Sequence, residues 1–95
     1  MIKAIYNGTI IAETEKTVRV EGNHYFPPEA IKKEYFKSSQ HHTVCPWKGT
    51  ASYYDVVVNG KTYRNGAWYY PNTSKAASPI KDHVAFYGGV TIETN

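Results

Sequence analysis

Cysteine occurs once, methionine once and tryptophan twice in the 95-residue chain. A single Cys45 excludes an intrachain disulfide, so the fold must hold by packing and hydrogen bonds alone. It also excludes a zinc site of two cysteine pairs. Carboxylates are scarce: eight Asp and Glu stand against eleven Lys and Arg, for a net charge of +3 and a pI near 9.0. Only Asp55 and Asp82 are aspartates. No apolar run approaches the length of a membrane span, and no basic segment precedes a short apolar one as in a signal peptide. A cytoplasmic location is the default expectation. The lysines are spread along the chain, with Lys32, Lys33 and Lys37 as the one local cluster. That is too diffuse for the dense basic stripe of a nucleic-acid binder, and a solvated face is the plainer reading.

The chain is instead rich in aromatics, at 15%, with nine tyrosines. Tyrosine suits strands and half-wet surfaces, where the ring packs and the hydroxyl meets water. At 41% hydrophobic and 20% charged residues the composition is globular, and the length fits one domain, residues 1–95. "IKAIYNGTIIAET" alternates, placing Ile2, Ala4 and Tyr6 on one side. Asn7-Gly8 supplies a tight turn and Thr9 to Ala12 returns as a strand. Val18 and Val20 face one way, with Arg19 and Glu21 the other, and Gly22-Asn23 bends that strand. Asn59-Gly60 between two β-rich runs is the strongest hairpin signal. Asn65-Gly66 follows too closely for another full strand and predicts a bulge or a second turn. "NTSKAASP" reads as a loop, and "HVAFYGGVTIET" as a last strand pair or one strand interrupted at Gly88-Gly89.

The segment "PPEAIKKEYFKSS" predicts the one helix, near Pro28 to Phe36. Pro28 suits a first turn, Glu29 and Lys33 pair at i,i+4, Ile31 and Tyr35 give a narrow apolar face, and Ser38 to Gln40 end it. Strands, one short helix and strands again, with no βαβ rhythm, predict a mainly β, single compact antiparallel domain.

"HHTVCPWKGTASYY", residues 41–54, concentrates the reactive side chains. His42 and Cys45 have ligand-pair spacing, but a structural zinc needs two such pairs, so no metal is expected, and no cofactor. Cys45, with His42 and Lys48 each three residues away, is a candidate nucleophile; a small buried cysteine is the plainer reading. "WKGT" lacks the upstream glycines of a phosphate loop and precedes a strand, which rejects a Walker motif. Lys48 remains a candidate anion-binding group, against the plainer reading of a solvated turn lysine. Trp47 should mainly pack. Trp47, Tyr53, Trp68 and Tyr70 form either core or the wall of a pocket.

"NHYFPPE", "HTVCPWKGTASYYDVVVNG", "AWYYP" and "HVAFY", in that order, resemble the bacterial domain of unknown function family 427. The CPWKGxAxY segment, Cys45 to Tyr53, is its most specific part, and the likeness spans nearly the whole chain. The resemblance implies a compact β fold, and the family carries an automated nucleotidyltransferase label. Its segments fall on Tyr25, Phe26 and Pro27; on Cys45, Pro46, Trp47, Lys48, Gly49, Ala51 and Tyr53; on Trp68, Tyr70 and Pro71; and on Ala85, Phe86 and Tyr87. Thr73 stands where many relatives have a second proline, which implies a looser loop from Asn72 to Ser78. Two classes of function stay open, and whether the protein is an enzyme stays open with them. One is a small domain binding a polar or anionic small molecule in an aromatic-lined pocket. Lys48, Trp47, Tyr53, Trp68, Tyr70 and Arg19 are its candidate ligand-binding residues, and Lys48, Cys45 and His42 its candidate catalytic ones. The other is a non-catalytic interaction module, monomer or homodimer. Two-metal nucleotidyl transfer would need clustered carboxylates, and the chain offers two aspartates.

Overall fold

In the computed structural model, which describes residues 1–95, the turn chemistry of the sequence sets much of the framework. Asn59 and Gly60 adopt φ of 50° and 79° and join β6 (Gly49–Val58) to β7 (Lys61–Tyr69) as a two-residue hairpin. Positive φ at both central positions matches the right-handed twist of the flanking strands, which is why Asn-Gly is favoured there. Asn7 and Gly8 do the same between β1 (Ile2–Tyr6) and β2 (Thr9–Thr14). A third tight turn, Glu21-Gly22, closes β3 (Val18–Val20) on β4 (Asn23–Tyr25), so that Gly22-Asn23 does not bend one strand but ends a hairpin.

The remaining strands are β5 (Phe36–Cys45), β8 (Val84–Phe86) and β9 (Thr91–Thr94). One sheet has the order β2-β1-β9, another β5-β6-β7-β8, and β3-β4 stands as a separate ribbon. Every strand pair is antiparallel. The stretch after His83 is thus two strands that belong to different sheets, with Gly88 and Gly89 in the crossing between them. No helix is long and apolar enough to cross a membrane.

Both faces of the four-stranded sheet are covered, and the alternation of β6 and β7 explains how. Tyr54, Val56 and Val58, with Ala67 and Tyr69, face the three-stranded sheet, where Ala4, Tyr6, Ile11, Ala12, Phe26 and Phe86 complete the larger core. Ala51, Tyr53, Trp68 and Tyr70 face the other way, against Tyr25 of the β3-β4 ribbon and Ile80 of the 3-10 turn Ser78–Ile80. Phe26 is fully buried and meets Phe86 edge-on at 5.5 Å; truncating such a ring costs about 3–5 kcal/mol.

The predicted helix does not form. Pro28–Ala30 and Lys33–Tyr35 are single 3-10 turns, and Ile31 between them is extended, with φ −82° and ψ 143°. The reason is tertiary: Ile31 bridges to Ala12 on β2, and the Lys32 N–H donates to the Ile11 carbonyl at 2.8 Å. The segment closes the edge of a sheet, and those backbone bonds outweigh a weak helical propensity. Ser38, Ser39 and Gln40 therefore lie within β5 rather than at a helix end.

Two irregularities shape the middle of the sheet. Between Ser38 and His42 the β5-β6 register shifts, and between Tyr54 and Val56 the β6-β7 register shifts. The second is the bulge expected at Asn65-Gly66, with Asn65 at φ 54°. The Asn65 N–H donates to Asp55 Oδ1 at 2.8 Å and the His41 N–H to Ser39 Oγ at 3.1 Å, so that side chains satisfy backbone groups the ladder releases, and Ser39 Oγ in turn donates to Asn65 Oδ1 at 2.5 Å.

Candidate functional site

Residues 45–49 form the turn into β6, and Gly49 is required there. Its φ is 123°, and a Cβ at this position would stand 2.5 Å from the Asn72 carbonyl oxygen. Gly49 bridges to Thr73, and the Ser74 N–H donates to the Lys48 carbonyl at 3.2 Å. The loop that follows Tyr70 is thereby tied to the turn despite the threonine at 73.

This geometry drives Lys48 inward. It is 6% exposed and is the one charged residue the fold buries, which corrects the reading of a solvated turn lysine. Its Nζ lies 5.3 Å from the Trp47 ring centroid and 5.7 Å from that of Tyr70, and it is ion-paired with Glu21 from the β3-β4 turn. Burial pulls the Lys48 pKa down, but the Glu21 hydrogen bond and the neighbouring Tyr25, Tyr70 and Glu21 outweigh it, and the net direction is up. An amine tuned down toward neutrality is not what this pocket makes. Trp47 does not sink into the core as expected; it is 41% exposed and leans over the ion pair.

The structure gathers Lys48, Trp47 and Tyr70, and sets Trp68 beside them through Tyr25: the Trp68 indole N–H donates to the Tyr25 hydroxyl at 3.1 Å. Tyr53 lies farther along the same face. Its hydroxyl bonds Thr43 Oγ1 at 2.8 Å and meets the Tyr87 hydroxyl at 3.4 Å, while its ring packs 4.6 Å from His41. That hydrogen bond, and burial after it, push Tyr87 up to about 12; burial does the same to Tyr70, against the opposing charge of Lys48, also to about 12. Arg19 stays apart, exposed on β3, with Nη2 3.5 Å from the Gly22 carbonyl. Cys45 packs against the smaller core. His42 points to the other face of β5, where Nδ1 lies 3.3 Å from both the Ala51 carbonyl and Ser52 Oγ. Cys45 and His42 therefore do not form a nucleophile–base pair.

The cavity of the molecule lies elsewhere. An open cleft of about 450 Å³ is lined by Pro28, Glu29, Ile31, Lys33, Tyr54, Tyr69, Asp82 and Val84. Tyr54 and Tyr69 form its floor as a stacked pair, centroids 4.7 Å apart and planes 21° apart. The two 3-10 turns that replaced the helix supply one wall. Asp82 supplies the other, in the left-handed region at φ 61°, with its N–H on the Tyr70 carbonyl at 3.0 Å. Aspartate tolerates that region better than most residues. Burial, then the adjacent Tyr69 and Asp82, raise the Tyr54 pKa, so its hydroxyl keeps its proton at neutral pH. None of the candidate catalytic or ligand-binding residues lines this cleft. The available signal was the doubled aromatics Tyr53-Tyr54 and Tyr69-Tyr70, which in strands must serve opposite faces.

The carboxylates remain dispersed. Asp55 holds the Asn65 bulge, Asp82 faces the cleft, and no three His, Cys, Asp or Glu side chains come together in metal-binding proximity. The family model of a domain of unknown function, DUF427, matches residues 1–94, and the chain belongs to that family. No curated protein matches it significantly.

Proposed function

We propose that this DUF427 domain binds a small polar molecule in the cleft between the Pro28–Tyr35 segment and the Tyr54-Tyr69 pair. The observation that carries the reading is the cleft itself: about 450 Å³, a floor of two stacked rings, and polar groups converging from Glu29, Lys33 and Asp82. Its volume falls within the usual range for ligand sites, and an apolar surface with a few fixed polar groups is how such sites are built. The charge balance favours one ligand class. Two carboxylates face one lysine, so the cleft attracts an amine or a hydroxyl-rich molecule more than an anion. A flat or ring-shaped ligand would stack on tyrosine faces, and an ammonium would gain cation–π attraction there. The nucleotidyltransferase label of the family draws no support from this cleft, because clustered metal-bridging carboxylates are what that chemistry requires.

A thermal-shift screen tests the reading with aliphatic amines, amino acids, monosaccharides, polyols and simple carboxylates as probes. Amines or polyols should raise the melting temperature by mass action. Asp82→Asn, which keeps the left-handed backbone accessible, should abolish the amine response while leaving the unliganded protein folded. Preference for carboxylates, or amine binding indifferent to Asp82→Asn, would contradict it.

A further inference from the structure

On the opposite face of the sheet, the Glu21–Lys48 pair is asymmetric. The cation is fixed: Lys48 is nearly buried, set by the Gly49 turn and flanked by the Trp47 and Tyr70 rings. The anion is loosely held. The Glu21 side chain is 55% exposed at the tip of a three-residue-strand hairpin, and its backbone is left-handed, with φ 53°, a region unfavourable for glutamate. Its carboxylate is held by Lys48 alone. A carboxylate thus sits against an ammonium that two aromatic rings flank, on a tether that contributes strain rather than rigidity. A buried ammonium needs a partner at all times, but nothing in this arrangement requires the partner to be covalently attached.

We propose that Lys48, Trp47 and Tyr70 form a carboxylate-binding site which Glu21 occupies in cis, and that a carboxylate-bearing ligand enters by displacing the β3-β4 tip. A single buried ammonium matches a singly charged carboxylate. A phosphate dianion is better served by an arginine fork or several backbone N–H groups, and Arg19, the arginine of the hairpin, is directed to the Gly22 carbonyl instead. The tethered Glu21 competes at an effective concentration on the millimolar scale, so the site answers to a ligand only when that ligand adds contacts on the exposed Trp47 face. This inference stands independently of the Tyr54-Tyr69 cleft, which shares none of these residues.

The test removes the internal carboxylate and supplies a free one. Glu21→Gly deletes it and relieves the left-handed backbone but leaves the Lys48 ammonium unpaired, so a lower melting temperature is expected before carboxylate is added; Glu21→Gln keeps the side-chain reach without the charge. Each is melted in sodium acetate, sodium phosphate or sodium chloride at matched ionic strength. Acetate should raise the melting temperature of both variants at roughly tenfold or more lower concentration than it does in the wild type, with a parallel change in Trp47 fluorescence. Adding Lys48→Met should erase the response. An acetate response no greater than that of the wild type would make the pair purely structural. A phosphate response equal to or above that of acetate would overturn the carboxylate assignment.

Discussion

Tyr25→Phe removes one oxygen from the centre of the smaller core, and its cost can be worked from the contacts. Tyr25 is fully buried on β4 and meets Trp68 edge-on, with centroids 6.2 Å apart and planes 88° apart. The Trp68 indole is itself 8% exposed, and its N–H donates to the Tyr25 hydroxyl at 3.1 Å. Phenylalanine preserves the edge-to-face packing and leaves the indole N–H buried without an acceptor. Stranding a buried donor costs about 1–3 kcal/mol, whereas the lost hydroxyl volume is too small to leave a cavity of consequence. A domain of this size loses about 4–8 °C of melting temperature per kcal/mol, so a drop of several degrees is expected. Urea unfolding followed by far-ultraviolet circular dichroism gives the free energy directly, with an unchanged slope if only stability is altered. The control is Trp68→Phe, alone and combined with Tyr25→Phe. If the hydrogen bond carries the cost, the double variant is less destabilised than the sum of the singles by at least about 0.5 kcal/mol. Additive costs, or a Tyr25→Phe variant as stable as the wild type, would refute the argument.

Three further outcomes follow from the geometry. Gly49→Ala should destabilise the protein or abolish soluble expression, because a Cβ would lie 2.5 Å from the Asn72 carbonyl oxygen and φ is 123°; Gly8→Ala, with nothing within 4 Å, should cost visibly less in the same denaturation assay. Acid should weaken the fold in two steps. His24 is held below its ordinary value by burial and then by Arg19, so its contribution is present above pH 6.5 and fades as pH falls below it. Glu21 is held below 4.5 by Lys48, so its contribution fades below that pH, and this second step should vanish in Glu21→Gln. Alkali should act in the opposite sense. Tyr70 and Tyr87, pushed up to about 12, support the fold below pH 10 and withdraw that support as pH rises toward 12, and absorbance at the tyrosinate band should show late-titrating tyrosines that include these two and Tyr54, which burial also raises.

The parts of the fold legible in the sequence are those set by local backbone chemistry. Asn7-Gly8 and Asn59-Gly60 take positive φ wherever they occur in such turns, and alternation at Ile2, Ala4 and Tyr6 states which side of β1 is buried. The Asn65-Gly66 signal was legible for the same reason. In the Pro28–Phe36 segment two i,i+4 pairs resemble a helical face, whereas the β2 edge claims the backbone of Ile31 and Lys32 through bonds that no local pattern announces. Within the candidate residues, sequence proximity to Gly49 pointed to Lys48 but not to its depth. That depth comes from Glu21, 27 residues earlier, and from Tyr70, which follows the end of β7. The cleft was the least legible feature. Glu29, Tyr54, Tyr69 and Asp82 share no motif and meet only because the sheet brings residues 54 and 69 together beneath the edge-closing turns.

The most direct test of the central claim is amide chemical-shift mapping of the isotopically labelled full chain, titrated with the strongest amine or polyol from the thermal-shift screen. Saturable perturbations should centre on Glu29, Ile31, Lys33, Tyr54, Tyr69 and Asp82, with Asp82→Asn weakening the binding at those same positions. Perturbations centred instead on Trp47, Lys48 and Tyr70, or scattered without saturation, would contradict the assignment of the cleft as the ligand site.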